Sequence, residues 1–214
     1  MSVRHVSDGD FVNESERKAF ERIRNALERH ESGGGRGPGT PRPPAAHPSP
    51  ENNEWIIFTN LNHVYDRSRR SEEIDMVVVG PTGVFVIEVK PWEHNFLARN
   101  IDLVTDTAIA IDAKAKHIKG TLTSANVHGF VTARILLTAD TLRLPSPQAY
   151  AGVSVCGLGD WKELLNVNGR TILGPDDFDN AERVLFNPSY RRRTGGFTSI
   201  GEIELDTDGY LEPE

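Results

Sequence analysis

The chain has little cysteine and little apolar material for its length. Of its 214 residues, one is cysteine and 37% are hydrophobic. The single cysteine, Cys156, excludes an internal disulfide framework and favours a reducing compartment. No apolar stretch approaches the roughly 20 residues that a membrane span requires, and the first residues contain no apolar signal region. These absences predict a cytoplasmic protein with no membrane partner.

Two common kinds of functional motif are also missing. The seven histidines do not form the spaced pairs of a zinc site. The string Gly80-Pro81-Thr82-Gly83 precedes a strand pattern and is not followed by Gly-Lys-Ser/Thr, so it predicts a turn and not a phosphate loop. The formal net charge of −7 argues against nonspecific coating of nucleic acid. It leaves open a metal-dependent nuclease, in which a cation bridges carboxylates to phosphate.

Charged residues interrupt the most apolar part of the chain, the run IDMVVVGPTGVFVIEVK at residues 74–90. Two β-branched segments flank the predicted turn, which indicates a buried β-hairpin. If Val79 and Val84 close the loop, antiparallel register places Asp75 directly opposite Glu88. Opposed residues have Cβ atoms roughly 4.5–5.5 Å apart, so two like charges there repel unless a cation such as Mg²⁺ binds between them. Period-two alternation puts Lys90 on the same side of the strand as Glu88.

An acidic residue, a hairpin turn and then Glu-x-Lys in this strand context resemble the PD-(D/E)XK nuclease superfamily. The fuller string from Glu73-Ile74-Asp75 to Glu88-Val89-Lys90 is similar to its nuclease-related domain (NERD) branch, and the resemblance covers about residues 12–140. It implies an α/β fold with a restriction-endonuclease-like αβββαβ core, in which a mixed central sheet is flanked by helices. It also implies a Mg²⁺- or Mn²⁺-dependent endodeoxyribonuclease that acts on DNA in processing, repair or defence.

The resemblance also implies roles for individual residues. Asp75, Glu88 and the Val89 carbonyl would hold the metal, and Lys90 would orient water or stabilise the transition state. Glu16, in the predicted first helix, matches a family glutamate that completes the site, although an acid that favours the first turn of a helix explains it equally well. The partners expected are DNA and either a second copy of the chain or a separate helicase- or kinase-type protein.

The pattern along the chain predicts the order helix, strand, hairpin, helix, strand. Residues 1–30 contain the N-terminal helix of the core (11–30, capped by Asn13 or Ser15), and residues 31–53 form a disordered insertion. Glycine and proline make up 11 of residues 31–50. Residues 54–174 form the nuclease-like core, and residues 175–214 form a C-terminal extension of unknown role. Within these segments the patterns predict strands at 55–59, 131–138 and 153–156 and helices at 106–122, 160–165 and 180–186.

Basic residues near this core are candidate contacts for a DNA backbone. They are Arg69 and Arg70 in a loop and three lysines on the second helix, Lys114, Lys116 and Lys119. Lys116 and Lys119 share a helix face, whereas Lys114 is offset from Lys116 by about 200°. Each of these residues, considered alone, is explained equally well as an ordinary solvated charge on the protein surface.

A structural reading of the hairpin charges stays open as well. In this reading Asp75 lies at a strand edge, and Glu88 and Lys90 form a solvated ion pair. This arrangement would need no metal. The chain also departs from the family where Pro91-Trp92-Glu93 follows Lys90 in place of Gly-Trp, and where the second helix lacks a glutamine. These departures favour the alternative of a catalytically silent domain that binds DNA or a protein partner.

Overall fold

The computed structural model describes residues 2–7, 10–32, 54–64, 71–139, 144 and 148–186. In chain order the strands are β1 (Val3–Ser7), β2 (Trp55–Val64), β3 (Ser71–Gly80), β4 (Gly83–Lys90), β5 (Val131–Leu137), β6 (Gln148–Tyr150) and β7 (Val153–Gly157). The helices are α1 (Glu14–Ser32), α2 (His94–Arg99), α3 (Ile101–Ser124), α4 (Trp161–Leu164) and α5 (Pro175–Phe186).

Seven strands form one mixed sheet in the order β1-β2-β3-β4-β5-β7-β6. The hairpin β3–β4 and its neighbour β2 are antiparallel, whereas β1 pairs with β2, β4 with β5 and β5 with β7 in parallel. The apolar runs of β3 and β4 lie near the middle of the sheet, where both faces are covered. This architecture confirms the predicted α/β class with a mixed sheet flanked by helices.

Side-chain alternation along β4 divides the core into two layers. Val84 and Val86 pack with α3 and α5 on one face of the sheet, whereas Phe85 and Ile87 pack with α1 and α4 on the other. All four side chains are buried because the helices on the two faces leave no open side. The end of β4 is therefore reached by a helix from each layer.

The hairpin turn has the predicted register. Val79 pairs with Val84, and Gly83 has a φ of 139°, a conformation that glycine adopts without strain. A Cβ at Gly80 would lie 2.0 Å from a ring carbon of Trp55, so the close approach of that ring requires glycine. These two glycines bring β3 and β4 together in the register that carries Asp75 towards Glu88.

Several elements differ from the sequence prediction. The strand β1 was missed because a five-residue, partly exposed edge strand has no apolar run, and it pairs with a strand about fifty residues further along the chain. The helix α3 begins at Ile101 rather than 106, since exposed Leu103 and Ile109 obscure the amphipathic pattern. The elements α2 and β6 were also missed.

The helix α5 lies in the segment predicted as a C-terminal extension, yet it packs into the core. Its side chains Phe178, Ala181, Val184 and Leu185 are buried against α3 and the sheet. The compact core therefore continues to Phe186. Residues 33–53 of the predicted insertion, the tail 187–214, and the candidate DNA contacts Arg69 and Arg70 lie outside the described residues. None of the described helices combines the length and the apolar character needed to cross a bilayer.

Candidate active site

The carboxyl group of Asp75 lies where the two strands of the hairpin separate. The β3–β4 ladder runs from the turn to the pair Met76–Ile87 and stops one residue before Asp75 and Glu88. At that point Asp75 Oδ2 accepts a hydrogen bond from the Val89 N–H at 2.6 Å. The Asp75 carboxylate thus accepts an N–H group that a main-chain carbonyl would accept if the ladder continued. On the other side of Asp75, Asn60 of β2 has a left-handed φ of 57°, so the sheet is irregular on both sides of this residue.

Burial and neighbouring carboxylates raise the pKa of Asp75 to about 7. Burial is the largest cause, and the negative charges of Glu88 and Glu16 raise the pKa further. The Val89 N–H and Lys90 act in the opposite direction because they favour the ionised form. A carboxyl group with a pKa near neutrality beside other acids is a feature of functional sites, since such a group binds either a proton or a cation at ordinary pH.

Two lysines neutralise Glu88. Lys90 Nζ lies 2.7 Å from Glu88 Oε1, as the alternation along β4 predicts, and Lys114 Nζ lies 3.3 Å from Oε2. Lys114 also donates to the main-chain carbonyl of Glu73 at 2.8 Å. The side chain of Lys114 is 11% exposed and that of Lys90 is 28% exposed. Lys90 is therefore the lysine with more freedom to turn towards a ligand.

Glu16 approaches from α1 and has two structural roles. Asn13 caps the helix, since its Oδ1 accepts the Glu16 N–H at 3.0 Å, which confirms one of the two predicted caps. Glu16 in turn accepts hydrogen bonds from the Val12 N–H at 3.2 Å and from the Asn13 amide. Burial raises the pKa of Glu16, as do the negative charges of Glu73 and Glu88, against the Val12 and Asn13 hydrogen bonds. Glu16 thus supports the capping residue Asn13, and it also belongs to an acidic cluster with Glu73, Asp75 and Glu88.

The donors present fit a hydrated divalent cation better than an enclosed metal cage. Within the described part of the chain, no three His, Cys, Asp or Glu side chains form a group arranged to hold a metal ion. Asp75 and Glu88 offer hard carboxylate oxygens. The charge of Glu88 adds to the effect of burial in raising the pKa of Asp75. Mg²⁺ keeps several of its waters and binds through one or two carboxylates, so this pair suits it. Without a cation, Lys90 and Lys114 balance the charge of Glu88.

Comparison with known families agrees with this geometry. Residues 45–136 match the family model described as the nuclease-related domain. This segment is therefore similar to the nuclease-related domain family. It includes Asp75, Glu88, Lys90 and Lys114, whereas Glu16 precedes it. No curated protein and no solved structure matches the chain.

Sequence reasoning named Lys114 as a candidate contact for a DNA backbone and did not predict its ion pair with Glu88. Lys114 is 9% exposed and lies within the apolar stripe formed by Ile111, Ala115 and Ile118, so it is directed towards the sheet. A lysine at a core-facing helical position was the signal that could have located it. Buried lysines need a charged partner, and Glu88 is that partner.

The other two lysines of α3 lie away from the acidic cluster. Lys116 is 76% exposed in its side chain and pairs with Asp112 at 2.6 Å, and Lys119 is exposed. Helical geometry places both on the side of α3 that faces away from the β3–β4 hairpin, since Lys114 occupies the near side. The structure therefore does not bring them to Asp75 and Glu88, and their contact with a DNA backbone stays a prediction.

Proposed function

We propose that this nuclease-related domain hydrolyses DNA phosphodiester bonds with the help of Mg²⁺ or Mn²⁺. The observation that carries the proposal is the convergence of Asp75, Glu88 and Lys90 at the end of the hairpin, where Glu88 and burial raise the pKa of Asp75 to about 7. A carboxylate that burial and a neighbouring negative charge disfavour is stabilised by a bound cation. The proposal includes a cytoplasmic location, with which the single, buried and unpaired thiol of Cys156 is consistent.

In this proposal each side chain has a distinct task. Asp75 and Glu88 would hold a divalent cation through their carboxylate oxygens, with the Val89 carbonyl as a further oxygen donor. When bound, such a cation would supply polarisation of the scissile phosphate and a lowered pKa for an attacking water. Lys114 keeps Glu88 in position because it is held between that carboxylate and the Glu73 carbonyl.

Lys90 and Glu16 act on the water and on the cation. Lys90 is the more exposed of the two lysines on Glu88, so its ammonium group can turn from Glu88 to the phosphate or to the attacking water. There it would stabilise the negative charge that develops in the transition state. Glu16, through its place in the acidic cluster, would bind a water of the cation while it accepts the Val12 N–H and the Asn13 amide at the start of α1.

The test is cleavage of supercoiled plasmid by the purified chain in Mg²⁺. We expect nicking that EDTA abolishes and that Lys90→Ala reduces by roughly 100- to 1,000-fold, the usual effect of removing one group that stabilises transition-state charge. Lys116→Ala is the matched control, since it removes the same charge from an exposed position away from the site. Cleavage that survives both EDTA and Lys90→Ala would contradict the mechanism.

One observation favours the second candidate, a catalytically silent domain that binds DNA or a protein partner. Glu88 already has two ammonium groups within 3.3 Å, so its charge is balanced without a metal. Thermal unfolding with and without Mg²⁺ separates the two candidates. A metal site adds about 2.7 kcal/mol of stability at a hundredfold excess of cation over its Kd, and Asp75→Ala should remove this gain. A melting temperature that Mg²⁺ and Mn²⁺ leave unchanged, with DNA or partner binding retained in Asp75→Ala, supports the silent domain.

A further inference from the structure

A groove opens directly beyond Lys90, where the chain leaves the sheet. Pro91 follows the last residue of β4, and the short helix α2 begins shortly afterwards at His94. The groove has a volume of about 420 Å³ and is lined mainly by Trp92, Phe96, Asn95 and Arg99. This volume lies within the range of pockets that hold small ligands or parts of larger ones. No step of the proposed hydrolysis uses the groove.

Two stacked aromatic rings form the apolar part of the groove. The ring centres of Trp92 and Phe96 lie 4.8 Å apart, with 21° between the ring planes. Both rings are half-buried and pack against the main hydrophobic core, which holds them in place. A platform fixed in this way loses little conformational entropy when a flat ligand stacks on it. The groove is therefore suited to a planar aromatic group.

Two polar side chains of the groove are available to a ligand. Asn100, which also lines the groove, donates to the Phe96 carbonyl at 3.0 Å. Arg99 and Asn95, in contrast, are exposed, and within the described part of the chain neither side chain makes a hydrogen bond or ion pair. Glu93 also lines the groove and is exposed. An amide and a carboxylate offer donors and acceptors to the edge of a heterocycle, and a guanidinium group offers a contact to phosphate. Together with the rings, they match the chemistry of a nucleotide.

The groove lies next to the candidate active site. Lys90 Nζ, which binds Glu88, lies 6.0 Å from the centre of the Trp92 ring. A phosphate at Lys90 and a base at Trp92 can therefore belong to the same nucleotide or to adjacent ones. This proximity favours a nucleobase over an unrelated aromatic ligand.

We propose that the groove binds one unpaired nucleobase of the substrate strand beside the scissile phosphate. The inference rests on the proposed function and narrows it. A paired base is stacked on both faces inside a duplex, so it reaches the groove only in single-stranded DNA or after leaving the stack. The preferred substrate is thus single-stranded DNA, or a duplex with an unpaired nucleotide at the cleavage position.

Fluorescence anisotropy of the full chain in EDTA tests this without cleavage. The probes are a twelve-nucleotide oligothymidylate and an abasic strand with the same number of phosphates. We expect the oligothymidylate to bind about 5- to 150-fold more tightly, the range that corresponds to one base stacked on an aromatic side chain. Trp92→Leu should lower its affinity to that of the abasic strand, while the abasic affinity stays unchanged. Trp92→Phe should keep the preference.

Trp161→Leu provides a matched control on the opposite layer of the core. Trp161 is also half-buried and also has a neighbouring lysine, Lys162, 5.6 Å from its ring, but it packs with α1 and not with α2. This variant should retain the base preference. Its remaining tryptophans are Trp92 and the buried Trp55, so oligothymidylate should quench the accessible fluorescence and the abasic strand should not. This measurement decides the matter even if Trp92→Leu fails to fold.

The outcomes separate the groove from the proposed hydrolysis. Equal affinity for the two strands, or a preference that Trp92→Leu keeps, overturns the base site even if the protein nicks plasmid in Mg²⁺. A base preference that depends on Trp92 supports the base site even if no DNA is cleaved. In that case only the proposed hydrolysis is contradicted. Tighter binding of fully paired duplex than of oligothymidylate also overturns the inference.

Discussion

Replacing Asp75 by asparagine should reduce the loss of folding stability that occurs as the pH rises to neutrality. The pKa of Asp75 is raised in the folded state from 3.8 to about 7, so the folded protein binds this proton more tightly than the unfolded chain does. The resulting stability is fully present below about pH 4 and is lost as the pH rises through about 7. Asparagine cannot ionise, yet its Oδ1 can still accept the Val89 N–H.

The size of the effect follows from the two pKa values. A difference of about three pKa units, at about 1.4 kcal/mol for each, corresponds to roughly 4 kcal/mol of unfolding free energy over the full titration. About 2.5 kcal/mol of this loss falls between pH 5 and pH 8, since part of the titration of the unfolded chain lies below pH 5. The unfolding free energy of Asp75→Asn minus that of the wild type should therefore rise by about 2.5 kcal/mol over this interval.

Urea unfolding in EDTA at several pH values measures this difference, because effects common to both proteins cancel. Asp177→Asn is a suitable control, since Asp177 also accepts one backbone N–H, from Gly174 at 2.8 Å, but lies at the start of α5 outside the hairpin. Its difference from the wild type should stay flat. If the Asp75→Asn difference is equally flat, or falls as the pH rises, the argument that burial and Glu88 destabilise the ionised Asp75 is refuted.

Two further substitutions test the packing around the site. Lys114→Met should destabilise the protein by about 3 kcal/mol in urea unfolding, since it leaves a largely buried carboxylate with one ammonium partner, whereas the exposed Lys116→Met should change stability by less than about 0.5 kcal/mol. Gly80→Ala should lower the melting temperature through the clash with the Trp55 ring, at a cost of about 2 kcal/mol or more. Gly120→Ala in α3, where a Cβ meets nothing within 4 Å, should raise it. Equal effects of the two lysine variants, or of the two glycine variants, would contradict these assignments.

The sequence by itself determined the hairpin and the identity of its charged residues. Turn chemistry and alternation with period two are local properties, so the pairing of Val79 with Val84 follows from a few neighbouring residues. The same alternation predicts that Lys90 lies beside Glu88, and the ion pair at 2.7 Å agrees. The order of the main core helices and strands along the chain also followed, because their apolar patterns are long enough to mark each of them.

Only the tertiary structure decided which other groups meet the hairpin. The contact of Lys114 with Glu88 depends on how α3 rotates and crosses the sheet, and the approach of Glu16 depends on α1 in the opposite layer. The bond from the Val89 N–H to Asp75 exists because β3 and β4 separate at that point, a feature that no local pattern encodes. Contacts between residues far apart in sequence depend on the packing of the whole core, and this dependence explains why periodicity identified the carboxylates but not their cationic partner in α3.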